Sequence, residues 1–302
     1  CPWPGDSRDF GLALSNNAMT IQLGAHCYLF TDHWSDASLP ILERLRHLGG
    51  EILEIAIGDD VQFSLAATRS EAEKLGMQLI VSPGGQWPIE CDISSDDPGN
   101  RKRGLAWHRQ QIELAAELEA IAYTGALYGH TGVVHRRRPP TDEGDRMADG
   151  LQELADFAAT QNVLLAIEPM SHFRTHLINT PIQAMTILDR CDHSNLRVLF
   201  DTYHLVTEVR DYREAILSMG KRLWGVHACE NDRGVPGGGL IPWSQIASGL
   251  RQISFTGPVL LEGYNSSLND FAFRRGMFHN VCPDADVFVR KGFDFLRDQF
   301  DH

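Results

Sequence analysis

Short apolar runs alternate with longer amphipathic stretches along most of the chain, and the pattern switches between the two periods eight times. The strand-like runs lie at 20–26, 51–57, 77–83, 121–128, 163–169, 197–202, 222–228 and 257–262. They are rich in branched and aromatic residues, as strands buried on both faces should be. Helix-like segments fall at about 37–48, 65–75, 99–118, 142–160, 181–191, 210–219, 243–252 and 284–299. In the fourth, Met147, Leu151, Leu154, Phe157 and Ala158 share one face. Pro40, Pro98 and Thr141-Asp142-Glu143 carry start signals, and Gly49-Gly50, Gly76 and Gly220 carry stop signals. Helical crossovers return the chain in the same direction, so the strands should be parallel, and eight of them close a barrel. The expectation is an α/β fold, one (β/α)8 barrel domain over 19–302. An open doubly wound sheet would want a Gly-rich turn after the first strand, where His26-Cys-Tyr-Leu-Phe-Thr-Asp stands instead. Residues 1–18 lack the pattern, a basic n-region and an apolar h-region. They read as an appended or disordered arm, with Met19 as the natural start.

The last four strand-like runs share a further feature. Val163-Leu-Leu-Ala-Ile-Glu168, Arg197-Val-Leu-Phe-Asp201, Leu223-Trp-Gly-Val-His227 and Pro258-Val-Leu-Leu-Glu262 each end on Glu, Asp or His. The gaps between those residues are 33, 26 and 35, close to the roughly 31 residues of one strand–helix unit in a barrel of about 250. Parallel barrel strands present their C-terminal ends at one mouth, so Glu168, Asp201, His227 and Glu262 should converge there. A single Glu at a strand end is more often a helix cap or ion-pair partner. Four in phase would repel one another or shift their pKa values strongly unless a cation sits among them. Three carboxylates and an imidazole suit one divalent ion: Mn²⁺, Mg²⁺ or Co²⁺, with Zn²⁺ also compatible.

Composition narrows the classes. The formal net charge of −13 argues against a polyanion such as nucleic acid and favours a small neutral substrate. No apolar stretch approaches the roughly 20 residues of a membrane span. The six cysteines (Cys1, Cys27, Cys91, Cys191, Cys229, Cys282) form no CxxC pair and read as reduced, buried thiols of a cytoplasmic protein.

Further motifs follow in order: Thr31-Asp-His-Trp-Ser-Asp36, Ile167-Glu-Pro169, His176-Leu-Ile-Asn-Thr180, Asp201-Thr-Tyr-His204, His227 with Glu230-Asn-Asp-Arg-Gly234, Ile241-Pro-Trp243, Gly257-Pro-Val-Leu-Leu-Glu262 and Gly276-Met-Phe-His-Asn-Val-Cys-Pro-Asp284. As an ordered set they resemble the xylose-isomerase-like barrels, in the sugar phosphate isomerase/epimerase branch that includes ketose 3-epimerases. The resemblance implies that Glu168, Asp201, His227 and Glu262 are metal ligands and that Glu168 and Glu262 double as the acid/base pair. It implies that His204 and Arg233 hold substrate oxygens. The implied reaction removes a proton alpha to a carbonyl through a metal-stabilised enediolate, in a carbohydrate epimerase or isomerase. The alternative on the same metal site is a lyase or dehydratase acting on a keto-sugar or cyclitol. A homo-oligomer, dimer or tetramer, is compatible with the resemblance.

One stretch departs from that branch. Ketose 3-epimerases commonly carry Arg-Phe-Glu shortly after the fifth strand, and here the residues are His172-Phe-Arg174. The change from acid to Arg174 alters which substrate end is read, favouring a carboxylate or phosphate, unless Arg174 faces solvent. Trp34 is expected either to wall the pocket or to be a core or surface aromatic. Glu54, His26, Trp87, Tyr128 and His130 are weaker pocket candidates. The Arg136-Arg-Arg138 run reads as a solvated loop, because phosphate sites favour backbone amides at helix N-termini. His108, inside the third helix, reads as structural.

Overall fold

The computed structural model describes residues 21–300; the expectations for residues 1–18 and Met19 lie outside them. The chain alternates strands and helices: β1 (Gln22–His26), α1 (Pro40–His47), β2 (Ile52–Ile57), α2 (Leu65–Leu75), β3 (Gln78–Pro83), α3 (Pro98–Glu117), β4 (Ala122–Gly125), α4 (Glu143–Thr160), β5 (Leu164–Ile167), α5 (Pro181–Cys191), β6 (Leu196–Asp201), α6 (Tyr212–Met219), β7 (Leu223–Ala228), α7 (Trp243–Gln252), β8 (Pro258–Leu261), α8 (Phe271–Arg274) and α9 (Ala285–Phe300). The eight parallel strands pair in chain order, and β1 closes on β8.

Local chemistry sets the boundaries. Asp97 caps α3 by accepting from the Gly99 and Asn100 amides, and Thr180 with Gln183 forms a capping box ahead of Pro181 on α5. Gly76 ends α2 in the left-handed region. Strand β4 stops at Gly125 instead of reaching 128, because Gly125 takes φ +113° and its carbonyl accepts from Leu127 N in a tight turn. The short α8, in the loop after β8, carries no periodic signal and was not expected.

Side chains of each strand alternate between the helical shell and the barrel interior. The outward set (Leu53, Ile55, Leu165, Val198, Phe200, Val259 and Leu261 among them) joins the large apolar cluster with the helices. Ile52, Ile80 and Leu260 form a separate inner cluster. Gly24 makes room for it: a Cβ there would lie 2.5 Å from both the Ile52 carbonyl oxygen and Leu260 Cδ2. Two residues further along each strand, on the same inward face, stand His26, Glu54, Ser82, Thr124, Glu168, Asp201, His227 and Glu262. An apolar plug thus supports a polar ring at the C-terminal mouth.

Five cysteines among the described residues (Cys27, Cys91, Cys191, Cys229 and Cys282) are free and buried. No helix among the described residues is long and apolar enough to cross a membrane.

The plug generates a test. Gly24→Val should destabilise the barrel by about 1–3 kcal/mol or more through overpacking, read as a lower urea midpoint at unchanged slope.

Candidate metal centre and active site

The four residues expected to meet do meet. Glu168 follows β5, Asp201 ends β6, His227 lies in β7 and Glu262 follows β8; one donor atom from each lies within 4.8 Å of the others. All four are buried. His227 Nδ1 lies 3.3 Å from Glu168 Oε1 and 3.0 Å from Glu262 Oε2. The two glutamates come from strands three places apart in a closed ring of eight, so they approach the centre from well-separated directions. Asp201 is oriented by its own chain: Oδ1 accepts from the Tyr203 and His204 amides at 2.7 and 3.3 Å. Its buried Oδ2 makes no hydrogen bond and is balanced by the Arg233 guanidinium beside it. This hard, mixed O/N donor set, in a compact buried cluster, fits a divalent ion.

Arg233 supplies the remaining positive charge. It is 1% exposed, and its Nη1 lies 2.8 Å from Asp201 Oδ2 and 2.7 Å from Glu262 Oε2. Its Nη2 lies 3.0 Å from His204 Nε2, and its guanidinium stacks 4.3 Å over the Tyr203 ring. Its backbone sits at φ +65°, a costly conformation for a side chain this large, and one found where a site demands it. The Glu230 backbone closes the turn around it, accepting from Arg233 N and donating to the Gly234 carbonyl, both at 3.0 Å. The Glu230 carboxylate is buried, and it accepts from Gly237 N (2.6 Å), Trp243 Nε1 (2.7 Å) and Ile241 N (3.1 Å), clasping the whole β7–α7 loop.

The pKa shifts follow from this crowding. Burial disfavours charge on His227, but Glu54, Glu262 and Glu168 outweigh it and raise the imidazole well above 6.5. Burial would raise Glu262, yet Arg233 and His227 hold it well below the usual carboxylate range. Asp201 is pushed up by burial, with Glu262 and Glu168 adding to the effect against the pull of Arg233. His204 is lowered by burial and by Arg233, so it stays neutral beside the guanidinium. Burial would raise Glu54 as well, but the charge and hydrogen bond of His227 hold it at about 2.

The other expected site residues divide. Arg174, partly buried in the loop after β5, makes no side-chain hydrogen bond or ion pair among the described residues, and its charge acts on His204, Tyr203 and Tyr264 at the mouth. Trp34 corrects the expectation of a pocket wall. It is wholly buried and donates its indole N–H to Thr68 of α2 at 3.2 Å, so it packs the β1 loop onto the helical shell and has no face left for a substrate. Tyr128 is likewise a fastener, donating to the Glu168 and Ile178 carbonyls. Trp87 stacks on Trp107, and His130 bonds the Trp87 carbonyl. His108 is structural as expected, buried and bonded to the Tyr123 hydroxyl, with burial lowering it to about 3. Arg136 to Arg138 are exposed, with Arg137 paired to Asp96. Tyr264, in the long loop after the eighth strand, and Tyr203 flank Arg233 at 5.7 and 4.3 Å; Tyr203 has no distinctive sequence signal, being one aromatic after a strand. Glu54 reads from the sequence only as a weaker pocket candidate, yet it is wholly buried and 2.6 Å from His227 Nε2. Its signal was a lone carboxylate within the apolar run Ile52-Leu-Glu-Ile-Ala-Ile57.

A family model described as "Xylose isomerase-like TIM barrel" matches residues 42–299. D-psicose 3-epimerase of Agrobacterium fabrum is 30% identical over 267 residues, covering 86% of this chain and 91% of that protein. The 3-dehydro-D-guloside 4-epimerase of Escherichia coli is 28% identical over 237 residues, 74% of this chain and 87% of that one. The crystal structure of D-psicose 3-epimerase with D-tagatose from Clostridium cellulolyticum H10 superposes with a TM-score of 0.84 at 25% identity, over 93% and 99% of the two chains.

Two outcomes are expected. Because the folded pKa of His227 is raised, its ion-pair stabilisation is complete below pH 6.5 and is lost as pH rises through the folded value; a cation competes with that proton. Mn²⁺ affinity should therefore rise with pH, and calorimetry in buffers of different ionisation enthalpy should register proton release on binding; pH-independent binding without proton release would contradict this. Glu230→Ala leaves three donors unpaired and should cost at least about 2 kcal/mol in chemical denaturation, with a fall in turnover as the loop that carries Arg233 loosens.

Proposed function

The chain belongs to the xylose isomerase-like TIM barrel family, and from that premise we propose that it is a divalent-metal-dependent sugar epimerase of the ketose 3-epimerase type. The observation that carries this reading is the approach of Glu168 and Glu262 to a single point beside His227 Nδ1, within the four-residue donor set. Relatives named as ketose 3-epimerases support the substrate class.

Glu168, Asp201, His227 and Glu262 would hold the ion, which when bound supplies Lewis-acid polarisation of the substrate carbonyl. The protein's own groups then do the rest. A ketose carbon next to the carbonyl, lying between Glu168 and Glu262, has a carboxylate on each face. One takes the proton, leaving an enediolate, and the other delivers a proton to the opposite face, which inverts that carbon. Arg233, with its fixed positive charge, and neutral His204 stand where negative charge develops on oxygen. The site side chains are buried, which strengthens these interactions. Arg174 would contact the far end of the sugar, where its charge already reaches Tyr264. Mn²⁺, Mg²⁺ and Co²⁺ all match the donor set.

The test uses chelator-stripped protein resupplied with Mn²⁺ and given ketoses in heavy water. Deuterium at carbon 3 of an epimerised product, of mass otherwise unchanged, is the expected result. A product lighter by one water would make the enzyme a dehydratase, and no exchange on any ketose would end the proposal. Glu168→Gln should lower turnover by about 10²–10⁴-fold while leaving the far-ultraviolet circular dichroism unchanged.

A further inference from the structure

His227 uses both ring nitrogens, and only one faces the donor cluster. Nδ1 points at Glu168 and Glu262, while Nε2 lies 2.6 Å from Glu54 Oε2. Glu54 is 0% exposed and sits on β2, whose inward face also carries Ile52. Its second oxygen, Oε1, accepts from the Thr124 hydroxyl of β4 at 2.9 Å. Thr124 is also fully buried, and its other acceptor within reach, the Val81 carbonyl, is farther away at 3.4 Å.

An ionised carboxylate can only accept, so the hydrogen of the 2.6 Å bond belongs to Nε2. Neutral His227 must then carry its lone pair on Nδ1, aimed into the cluster. A carboxylate behind a ligating imidazole also raises the basicity of the ligating nitrogen and fixes the ring plane. We infer that Glu54, held by Thr124, is the positioning residue for His227: a relay from β4 through β2 to β7 selects the tautomer and ring orientation with which His227 meets the ion. This rests on the reading of Glu168, Asp201, His227 and Glu262 as the ion's ligands. No sugar contact is required of Glu54.

The experiment titrates Mn²⁺ alone into wild-type protein, Glu54→Gln and Thr124→Val, by calorimetry and by electron paramagnetic resonance of free Mn²⁺. Wild type should bind one ion. Glu54→Gln should bind it about 10–100-fold more weakly, because an amide oxygen is a poorer partner than a carboxylate for Nε2–H. Thr124→Val, close in shape and the milder change, should weaken binding less but in the same direction, and it keeps the test valid if Glu54→Gln fails to fold. Raising Mn²⁺ should restore most of the turnover of either variant, a rescue that a disordered site would not show. Variants that fold and bind Mn²⁺ within twofold of wild type overturn the role of Glu54 but leave the ligand set standing. A wild-type protein that takes up no Mn²⁺ overturns the ligand set itself, and the relay with it.

Discussion

Mutual repulsion of buried carboxylates is the constraint that shapes this molecule. Glu168, Asp201 and Glu262 bring donor oxygens within 4.8 Å of one another in a site shielded from water. Two unit charges at that spacing repel by about 3–4 kcal/mol at an effective dielectric constant of about 20. Three such pairs would cost about as much as the whole stability of an ordinary domain. The chain meets this with a fixed guanidinium and an imidazole whose pKa is raised, and the donor set is one that could hold a divalent ion. Arg233 screens Asp201 and Glu262 from each other, and on the proposed reading it would also face charge on a substrate. It does so from a left-handed backbone position in a loop that the Glu230 carboxylate ties together through three bonds.

The barrel divides the work around its ring. Strands β5 to β8 end in the donor residues, and strands β1 to β4 contribute His26, Glu54, Ser82 and Thr124 at the same level. Below the ring, Ile52, Ile80 and Leu260 keep the interior dry and Gly24 lets them approach. The donor ring therefore rests on an apolar floor, and the loops after β5, β6, β7 and β8 supply the polar contacts above it.

What the sequence revealed follows from the same physics. The eight-fold switching of period, the parallel order and the helix stops at Gly76 and Gly220 were legible because burial on both faces demands near-continuous apolar strands. The four donors were legible because each terminates such a run in phase. Glu54 was not ranked with them because it interrupts a run instead of ending it, and only the barrel's inward alternation shows that it shares a ring with His227. Trp34 misled for the opposite reason. An aromatic in a mouth loop has the same sequence signature whether it faces a ligand or, as here, a helix with Thr68. The early end of β4 depended on Gly125 taking φ +113°, which no pattern of apolar residues encodes.

The central claim is that one cation belongs at the meeting point of Glu168, Asp201, His227 Nδ1 and Glu262. Anomalous diffraction from a crystal soaked in manganese tests it most directly. The account predicts a single strong peak about 2.0–2.2 Å from a donor atom of each of the four residues, with Nε2 of His227 turned away toward Glu54. No peak there, or a peak beside Nε2 with the ring reversed, would contradict it.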